Sequence, residues 1–382
     1  MEKSVSEIIE VKDNKTIDAF FALLRSGLWE REVQVAQYCD VEYDALYELA
    51  EEQTVVGLVA AGLEHVIDVK LPKEIVLQFV GQTLQLEQQN KAMNAFLASL
   101  IEKMRSAGIY TLLVKGQGVA QSYEKPLWRA CGDVDLFLSD DNYNKAKEML
   151  LPLASDIEPE SKYSKHLGMT IDSWVVELHG SLKMGVPIKI NRELEMIKSE
   201  TFYGGDVSSW ANGNTQVFLL SHENNVVYVF AHFLNHFYKG GIGLRQICDW
   251  SRLLWVYRKK LDLKKVENHI KRMALMTEWK AFGALAVKYL GMPKDAMPFY
   301  KEDIKWERKA DRIMDFIIMS GNFGHNRDMS YLKKYPYLIR KAWSLGRRIG
   351  DLWNHARIFP LDTLRFAPSL VFHGLRAAIN SE

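Results

Sequence analysis

Two aspartates separated by one apolar residue, Asp133 and Asp135, lie in an apolar run that is typical of a β-strand. Side chains alternate between the two faces of a strand, so both carboxylates point the same way. They repel each other unless a positive charge lies between them, and a divalent cation with oxygen ligands supplies that charge. A third acid, Glu177, follows in a later strand-like segment. With the Lys115-Gly116 turn, these acids indicate metal-assisted phosphoryl or nucleotidyl transfer.

The Lys-Gly turn provides a candidate phosphate site. Gly116 and Gly118 have no Cβ, so the backbone can approach a ligand closely there. Residues 119–123 are predicted to begin a helix whose N-terminal amides favour an anion, and Lys115 adds a positive charge. Arg129 precedes the aspartate strand, and its guanidinium can grip phosphate with two hydrogen bonds. The alternative for Arg129 is a salt bridge that holds the aspartate pair.

These motifs resemble the DNA polymerase β-like nucleotidyltransferase superfamily. They resemble more closely its bacterial branch of uncharacterised nucleotidyltransferases, which has Lys-Gly in place of Gly-Ser. Members of that branch also have an arginine before Gly-Asp-x-Asp and an acid-x-His element. The resemblance covers roughly residues 91–292. The chain carries the matching motifs Lys115-Gly116, Arg129, Gly132-Asp133-Val134-Asp135, Glu177-Leu178-His179, His232-x-x-x-His236 and Leu244-Arg245-x-x-x-Asp249-Trp250.

The resemblance implies a chemistry that depends on Mg²⁺ or Mn²⁺, with an NTP as substrate. Asp133 and Asp135 would hold the ions that bridge the NTP phosphates, and Glu177 would bind the second ion and help to deprotonate the acceptor hydroxyl. Attack on the α-phosphorus would release pyrophosphate. Gln117 stands where the wider superfamily has a serine that holds phosphate, so Lys115 and the backbone amides would take over that contact.

Five further residues are second-tier site candidates. His179 touches the phosphate, orients Glu177 or is structural. His232 and His236 are four residues apart on a predicted helix, a spacing that suits zinc, but they lack the glutamate of a zincin motif. Histidines hydrogen-bonded beside the cleft are the alternative. Arg245 and Asp249 are also four residues apart, so they can pair.

The remaining pattern predicts an α+β protein, with a small mixed sheet between N-terminal and C-terminal helical regions. The predicted units are an N-terminal helical region (1–90), a catalytic core (91–200), a helical domain covering the cleft (201–300) and a helical extension (301–382). Helical periodicity is read at 1–70, 73–106 and 217–237, and a shorter helix follows a cap at Ser139. Strands are predicted at 109–114, 166–171 and 173–180.

Composition narrows the classes of function. Among 382 residues, 49 Lys and Arg nearly balance 48 Asp and Glu, so no bulk charge indicates nucleic-acid binding. Cys39, Cys131 and Cys248 have neither zinc spacing nor a disulfide pattern. No stretch reaches the roughly 18 apolar residues of a membrane helix, and the N-terminus lacks a signal-peptide core. The expectation is a soluble, cytoplasmic protein.

Two alternatives to catalysis remain open. One is a degenerate family member that binds a nucleotide or a protein partner without turnover. The other is a helical module whose basic, aromatic C-terminal part binds nucleic acid or a membrane surface, although a solvated helix face also explains that composition. The basic residues are Lys333, Lys334, Arg340, Lys341, Arg347, Arg348, Arg357, Arg365 and Arg376. The acceptor is open among a small molecule, a protein and an RNA end, and so is the oligomeric state.

Overall fold

The structure is a computed structural model that describes residues 14–38, 40–161, 163–322, 343 and 350–368. Its architecture is α+β, as predicted, with helices before and after a mixed sheet. The strands are β1 (Leu112–Val114), β2 (Asp133–Phe137), β3 (Asp156–Ile157), β4 (His166–Ile171), β5 (Trp174–His179), β6 (Val207–Asn212) and β7 (Thr215–Leu220).

Helices make up most of the rest of the described chain. They are α1 (Asn14–Trp29), α2 (Tyr43–Glu52), α3 (Val56–Leu63), α4 (Lys73–Ser106), α5 (Gly116–Ala120), α6 (Asp140–Leu150), α7 (Ile188–Phe202), α8 (His222–Lys239), α9 (Leu244–Tyr257), α10 (Leu263–Met273), α11 (Met276–Lys288) and α12 (Ile304–Ser320). Residues 350–358 and 360–368 are also helical. Short 3-10 turns occupy Pro126–Trp128, Leu151–Leu153 and Lys294–Ala296.

The sheet order places β2 at the centre of the chemistry. The strands run β3-β4-β5-β2-β1-β7-β6. β2 is antiparallel to β1 and parallel to β5, whereas β1 is parallel to β7. β4 and β5 form one antiparallel hairpin, and β6 and β7 form another. The Asp-x-Asp strand therefore has the Lys-Gly turn on one side and the strand of the third acid on the other.

The two faces of the sheet belong to different apolar clusters. Val134 and Leu136 of β2 pack with Met93 and Leu97 of α4 on one face. Phe137 faces the other way, into a larger cluster that includes α8 and the N-terminal helices. Because side chains alternate along β2, the aspartates lie on the same side as Phe137. Val134 and Leu136, on the opposite face, are both fully buried.

The prediction of one helical run over residues 217–237 is wrong in its first part. Residues 215–220 form strand β7, and the helix begins only at His222. Leu112 and Leu113 of β1 pair with Phe218 and Leu219 of β7. A continuous apolar run suits a strand inside a sheet as well as a buried helix, and periodicity alone does not separate the two.

Local signals at the long helix and at the hairpin are confirmed. α4 spans Lys73–Ser106 and ends before Gly108, whose φ is +72°. The Ser139 Oγ accepts a hydrogen bond from the Asn142 amide and caps α6. Asp172 and Ser173 join β4 to β5 with positive φ angles at both positions, as a tight two-residue hairpin requires.

Some of the residues on which other sequence-based predictions rest lie outside the described ranges. Cys131 and Cys248 are buried free thiols, and Cys39 lies outside the described residues. Of the basic C-terminal residues only Arg357 and Arg365 are described, and Arg365 pairs with Asp362. Within these ranges, every helix is too short or too polar to span a bilayer. The four-unit division stays a prediction, although β6 and β7 belong to the same sheet as the predicted core.

Candidate active site

The three predicted acids converge at one end of the central strands. Asp135 of β2 is the register partner of Glu177 on β5, and Asp133 lies two residues earlier on the same face. One carboxylate oxygen from each lies within 4.8 Å of the others. We call Asp133, Asp135 and Glu177 the acidic cluster. By contrast Asp172, which is the other acid near Glu177 in the sequence, is exposed in the β4–β5 turn.

Asp135 lies deepest in the acidic cluster, at 1% exposure. Its Oδ1 lies 2.6 Å from Lys115 Nζ and 2.8 Å from His179 Nε2. Its Oδ2 is buried and has no hydrogen-bond partner. A buried carboxylate oxygen without a partner is costly, so this atom marks a place for a donor or a cation. The acidic cluster therefore fits a divalent cation with oxygen ligands.

Lys115 adopts an unusual backbone conformation to reach the acidic cluster. It lies between β1 and α5 with φ 58° and ψ −145°, a region that residues other than glycine rarely occupy. Burial lowers the pKa of its ammonium group, but the charge interactions with Asp135, Tyr228, Asp133 and Glu177 together outweigh burial, and the net pKa is raised. Lys115 is therefore protonated beside the acids, and strain of this kind is concentrated at functional sites.

The two other acids are affected in opposite directions. The charge of Asp135 and burial raise the pKa of Asp133. Burial also acts to raise the pKa of Glu177, but hydrogen bonds from His166 and His179, together with the charges of Lys115 and His179, outweigh burial and lower the pKa. At Asp133, nearby positive groups do not fully neutralise the negative charge of the neighbouring carboxylates. Glu177, by contrast, stays ionised.

His166 is a site residue that the sequence reasoning missed. It lies on β4 directly opposite His179 on β5, and its Nε2 is 3.1 Å from Glu177 Oε2. His179 Nε2 is 3.4 Å from the same oxygen. The signal was available in part, since both strands were predicted, but only the pairing register places His166 beside Glu177.

A cleft of about 920 Å³ opens beside the acidic cluster and is walled on one side by α8. His232 and His236 share one face of α8, with ring centroids 4.7 Å apart, and both line the cleft. Burial and the charge of Lys115 lower the pKa of both rings, to about 4 for His236. They are therefore neutral hydrogen-bonding groups. Asn235 lines the same wall, and its buried Oδ1 has no partner.

Arg129 lies in a closed ion pair. Its Nε and Nη2 donate to the two carboxylate oxygens of Asp249 at 3.1 and 2.6 Å, and the Tyr123 hydroxyl donates to Asp249 Oδ1. Both members of the pair are buried. Arg245 donates to the carbonyl of Ala130, so Asp249 pairs with Arg129 rather than with the residue four positions before it. The aspartates of β2 are not the carboxylates that this arginine holds.

The residues after Lys115 have packing roles that the sequence did not indicate. The Gln117 side chain is buried and donates to Asn90 Oδ1 on α4, so it faces away from the cleft-lining residues. A Cβ at Gly118 would lie 2.8 Å from the Leu219 side chain, so close packing on the sheet favours glycine there. Gly116 has φ +38° and lies against the carbonyl of Asp133. Their phosphate contacts stay predictions.

The fold and the acidic cluster define an α+β protein with a candidate metal centre at the edge of a cleft. The chain belongs to the family described as uncharacterised nucleotidyltransferase, whose model matches residues 40–291. This range contains the Lys-Gly turn, all three acids and the α8 histidines. A search of the curated proteins and a search of the solved structures each found no match. The family description supports a transferase activity.

Proposed function

We propose that the protein is a Mg²⁺-dependent nucleotidyltransferase, which transfers NMP from an NTP to a hydroxyl acceptor and releases pyrophosphate. The observation that carries this proposal is the convergence of Asp133, Asp135 and Glu177, one of which has a buried oxygen without a partner. The family match adds independent support. We also propose that the chain belongs to the polymerase β-like superfamily, because its Asp-x-Asp strand lies beside a parallel strand that carries the third acid.

The acidic cluster would hold the metal. Bound Mg²⁺ would neutralise charge on the phosphates and position them for in-line displacement. Asp133 and Asp135 would carry most of this binding, because both lie on β2. Glu177 lies on a separate strand, where it is ionised and so suited to bind a cation. We also propose that Glu177 accepts the proton of the acceptor hydroxyl. The Glu177→Gln variant tests this role.

Positive and neutral polar groups around the acidic cluster suit a nucleotide substrate. Lys115 is protonated and partly exposed to the cleft. When a nucleotide binds, its ammonium group would leave the ion pair with Asp135 and bind a phosphate oxygen instead. The α5 turn at Gly116 would receive the same phosphates. His232, His236 and Asn235 would line the remaining volume with uncharged donors and acceptors.

The Arg129–Asp249 pair is assigned a positioning role in this proposal. The pair satisfies both carboxylate oxygens and holds the segment that leads into Asp133. This role replaces the phosphate contact predicted for Arg129, because the guanidinium would have to leave a buried, two-pronged partner to reach a nucleotide. Asp249 and Arg245 then act through the backbone before β2.

The experiment is a thermal-stability screen of the full chain with each of the four NTPs in the presence of Mg²⁺ or Mn²⁺. The expected result is a metal-dependent rise in Tm with at least one NTP in the wild type, and none in Asp135→Asn. Mass spectrometry of candidate acceptors then follows for the stabilising NTP. Absence of any NTP- and metal-dependent stabilisation in the wild type would contradict the proposal.

A further inference from the structure

The open end of the β4–β5 hairpin presents two histidines and a glutamate on one face. His166 is paired directly with His179 across the two strands. Glu177 lies two residues before His179, so it points to the same face. The pairing register therefore places a His-Glu-His group at the cleft, and neither strand taken alone shows it.

The donor atoms of this group are spaced as ligands of one ion are. His166 Nε2 and His179 Nε2 lie 3.1 and 3.4 Å from Glu177 Oε2. Two ligand atoms about 2.0–2.1 Å from a shared ion, subtending roughly 90–110°, are about 2.9–3.4 Å apart. All three donor atoms lie within 4.8 Å of one another.

An ion can reach these atoms from the cleft. All three residues line it. Their side chains are partly exposed, at 28% for His166, 24% for Glu177 and 12% for His179. Both histidines approach Glu177 through Nε2, so the same ring atom of each is directed at the candidate site.

The donor set differs in chemistry from the acidic cluster. Three carboxylate oxygens suit a hard cation such as Mg²⁺, whereas two imidazole nitrogens and one carboxylate suit a first-row transition metal. Glu177 belongs to both groups, so it can bridge two neighbouring ions.

We propose that His166, His179 and Glu177 form a second metal site, which takes a transition-metal dication such as Zn²⁺ or Co²⁺ in preference to Mg²⁺. This site does not rest on nucleotidyl transfer, because the donor atoms select the ion whatever the reaction. It gives the protein one hard-cation site and one nitrogen-containing site that share a carboxylate.

The competing explanation is that the two rings only donate hydrogen bonds, His166 to Glu177 and His179 to Asp135 and Glu177. His166 separates the two explanations, because it is outside the acidic cluster. His166→Gln keeps an amide donor that can bond Glu177 but replaces a good transition-metal ligand with a poor one. His166→Ala removes both.

The probe is Co²⁺, whose visible absorption reports nitrogen coordination, in titrations of the full chain, with Zn²⁺ competition as a second readout. Loss of one direct ligand should weaken Co²⁺ affinity at least about tenfold in both His166 variants, since even outer-shell changes cost 10–100-fold. Mg²⁺ affinity, measured by calorimetry, should fall less than Co²⁺ affinity, because His166 would act on the Mg²⁺ site only through its contact with Glu177. His222→Ala is the matched control, because His222 stacks on Tyr257 and does not line the cleft.

Equal Co²⁺ affinity in wild type and His166→Gln would overturn the site, and so would the absence of Co²⁺ binding to the wild type. Loss of Co²⁺ binding in Asp133→Asn alone, with both His166 variants unchanged, would place the ion in the acidic cluster and also overturn it. Each of these results leaves the Mg²⁺ and NTP measurements intact, so the two proposals fail separately.

Discussion

Two buried clusters beside β2 each contain both positive and negative side chains. They differ in how completely these charges are paired. Arg129 and Asp249 form a closed pair in which both carboxylate oxygens accept hydrogen bonds. The acidic cluster brings three carboxylates together beside one lysine, and Asp135 Oδ2 has no partner. Similar residue types thus serve structure where the charges balance. Where negative charge is in excess at a cleft, they are suited to ion binding.

Breaking the closed pair should have the largest effect, and the effect should be on folding. Arg129→Ala leaves Asp249 buried and uncompensated, so the free energy of unfolding should fall by about 3–5 kcal/mol. Urea denaturation followed by circular dichroism measures the change. Lys91→Ala is the control, since its exposed pair with Glu87 should contribute little to stability. A loss in Arg129→Ala no larger than in the control would show that the pair is not structural.

Asp135→Asn should abolish function. Removing the most buried carboxylate of the acidic cluster takes away several kcal/mol of metal-based charge stabilisation, so transfer should fall by about 10³-fold or more. Mg²⁺ affinity by calorimetry should fall sharply as well, and chelation of the metal should stop wild-type turnover. Asp172→Asn is a matched control in the exposed hairpin turn, where asparagine tolerates positive φ. Equal Mg²⁺ affinity in Asp135→Asn and wild type would remove the metal assignment.

Glu177→Gln separates catalysis from binding within the acidic cluster. The variant keeps size and polarity but loses the charge, so NTP affinity should stay near normal while single-turnover transfer falls by about 10²-fold or more. The two measurements are made on the same protein preparation, with NTP hydrolysis replacing transfer until an acceptor is found. Full turnover in this variant would show that the third acid lies elsewhere.

Lys115→Ala tests the cation that partners Asp135. Loss of a charged hydrogen bond to phosphate should weaken NTP affinity by about 1–3 kcal/mol. Lys183→Ala, at another lysine that lines the cleft, is the matched control for general loss of positive charge. If NTP affinity were unchanged in Lys115→Ala, the role of this lysine would be to pair with Asp135 and not to bind phosphate.

Asp133→Asn should have the smallest effect. Unlike Arg129→Ala, it should increase the free energy of unfolding. The pKa of Asp133 is raised, so the folded state binds this proton more tightly than the unfolded state, and stability falls as pH rises through that pKa. In metal-free buffer at neutral pH, the variant should be more stable by about 0.5 kcal/mol or more. The gain should vanish at acid pH, where the carboxyl is protonated in both states. A constant difference across pH would argue against repulsion within the acidic cluster.

Several elements could be predicted because their signals are local. Alternation in the β2 segment places Asp133 and Asp135 on one face whatever the strand pairs with. The long apolar stripe and Gly108 define α4, and Ser139 caps α6. Strand β7 (Thr215–Leu220) could not be predicted, because its apolar run acquires strand geometry only by pairing with β1.

The tertiary structure decided which side chains contact one another. The sequence by itself determined the three acids, the Lys-Gly turn, the histidine spacing on α8 and the alternating faces of β2, because these follow from residue type and from the periods of strands and helices. Only the fold determined that Arg129 closes on Asp249, that Gln117 turns into the core and that His166 lies against Glu177. These contacts join residues far apart in the chain, and local periodicity carries no information about which distant charge or strand a side chain will meet.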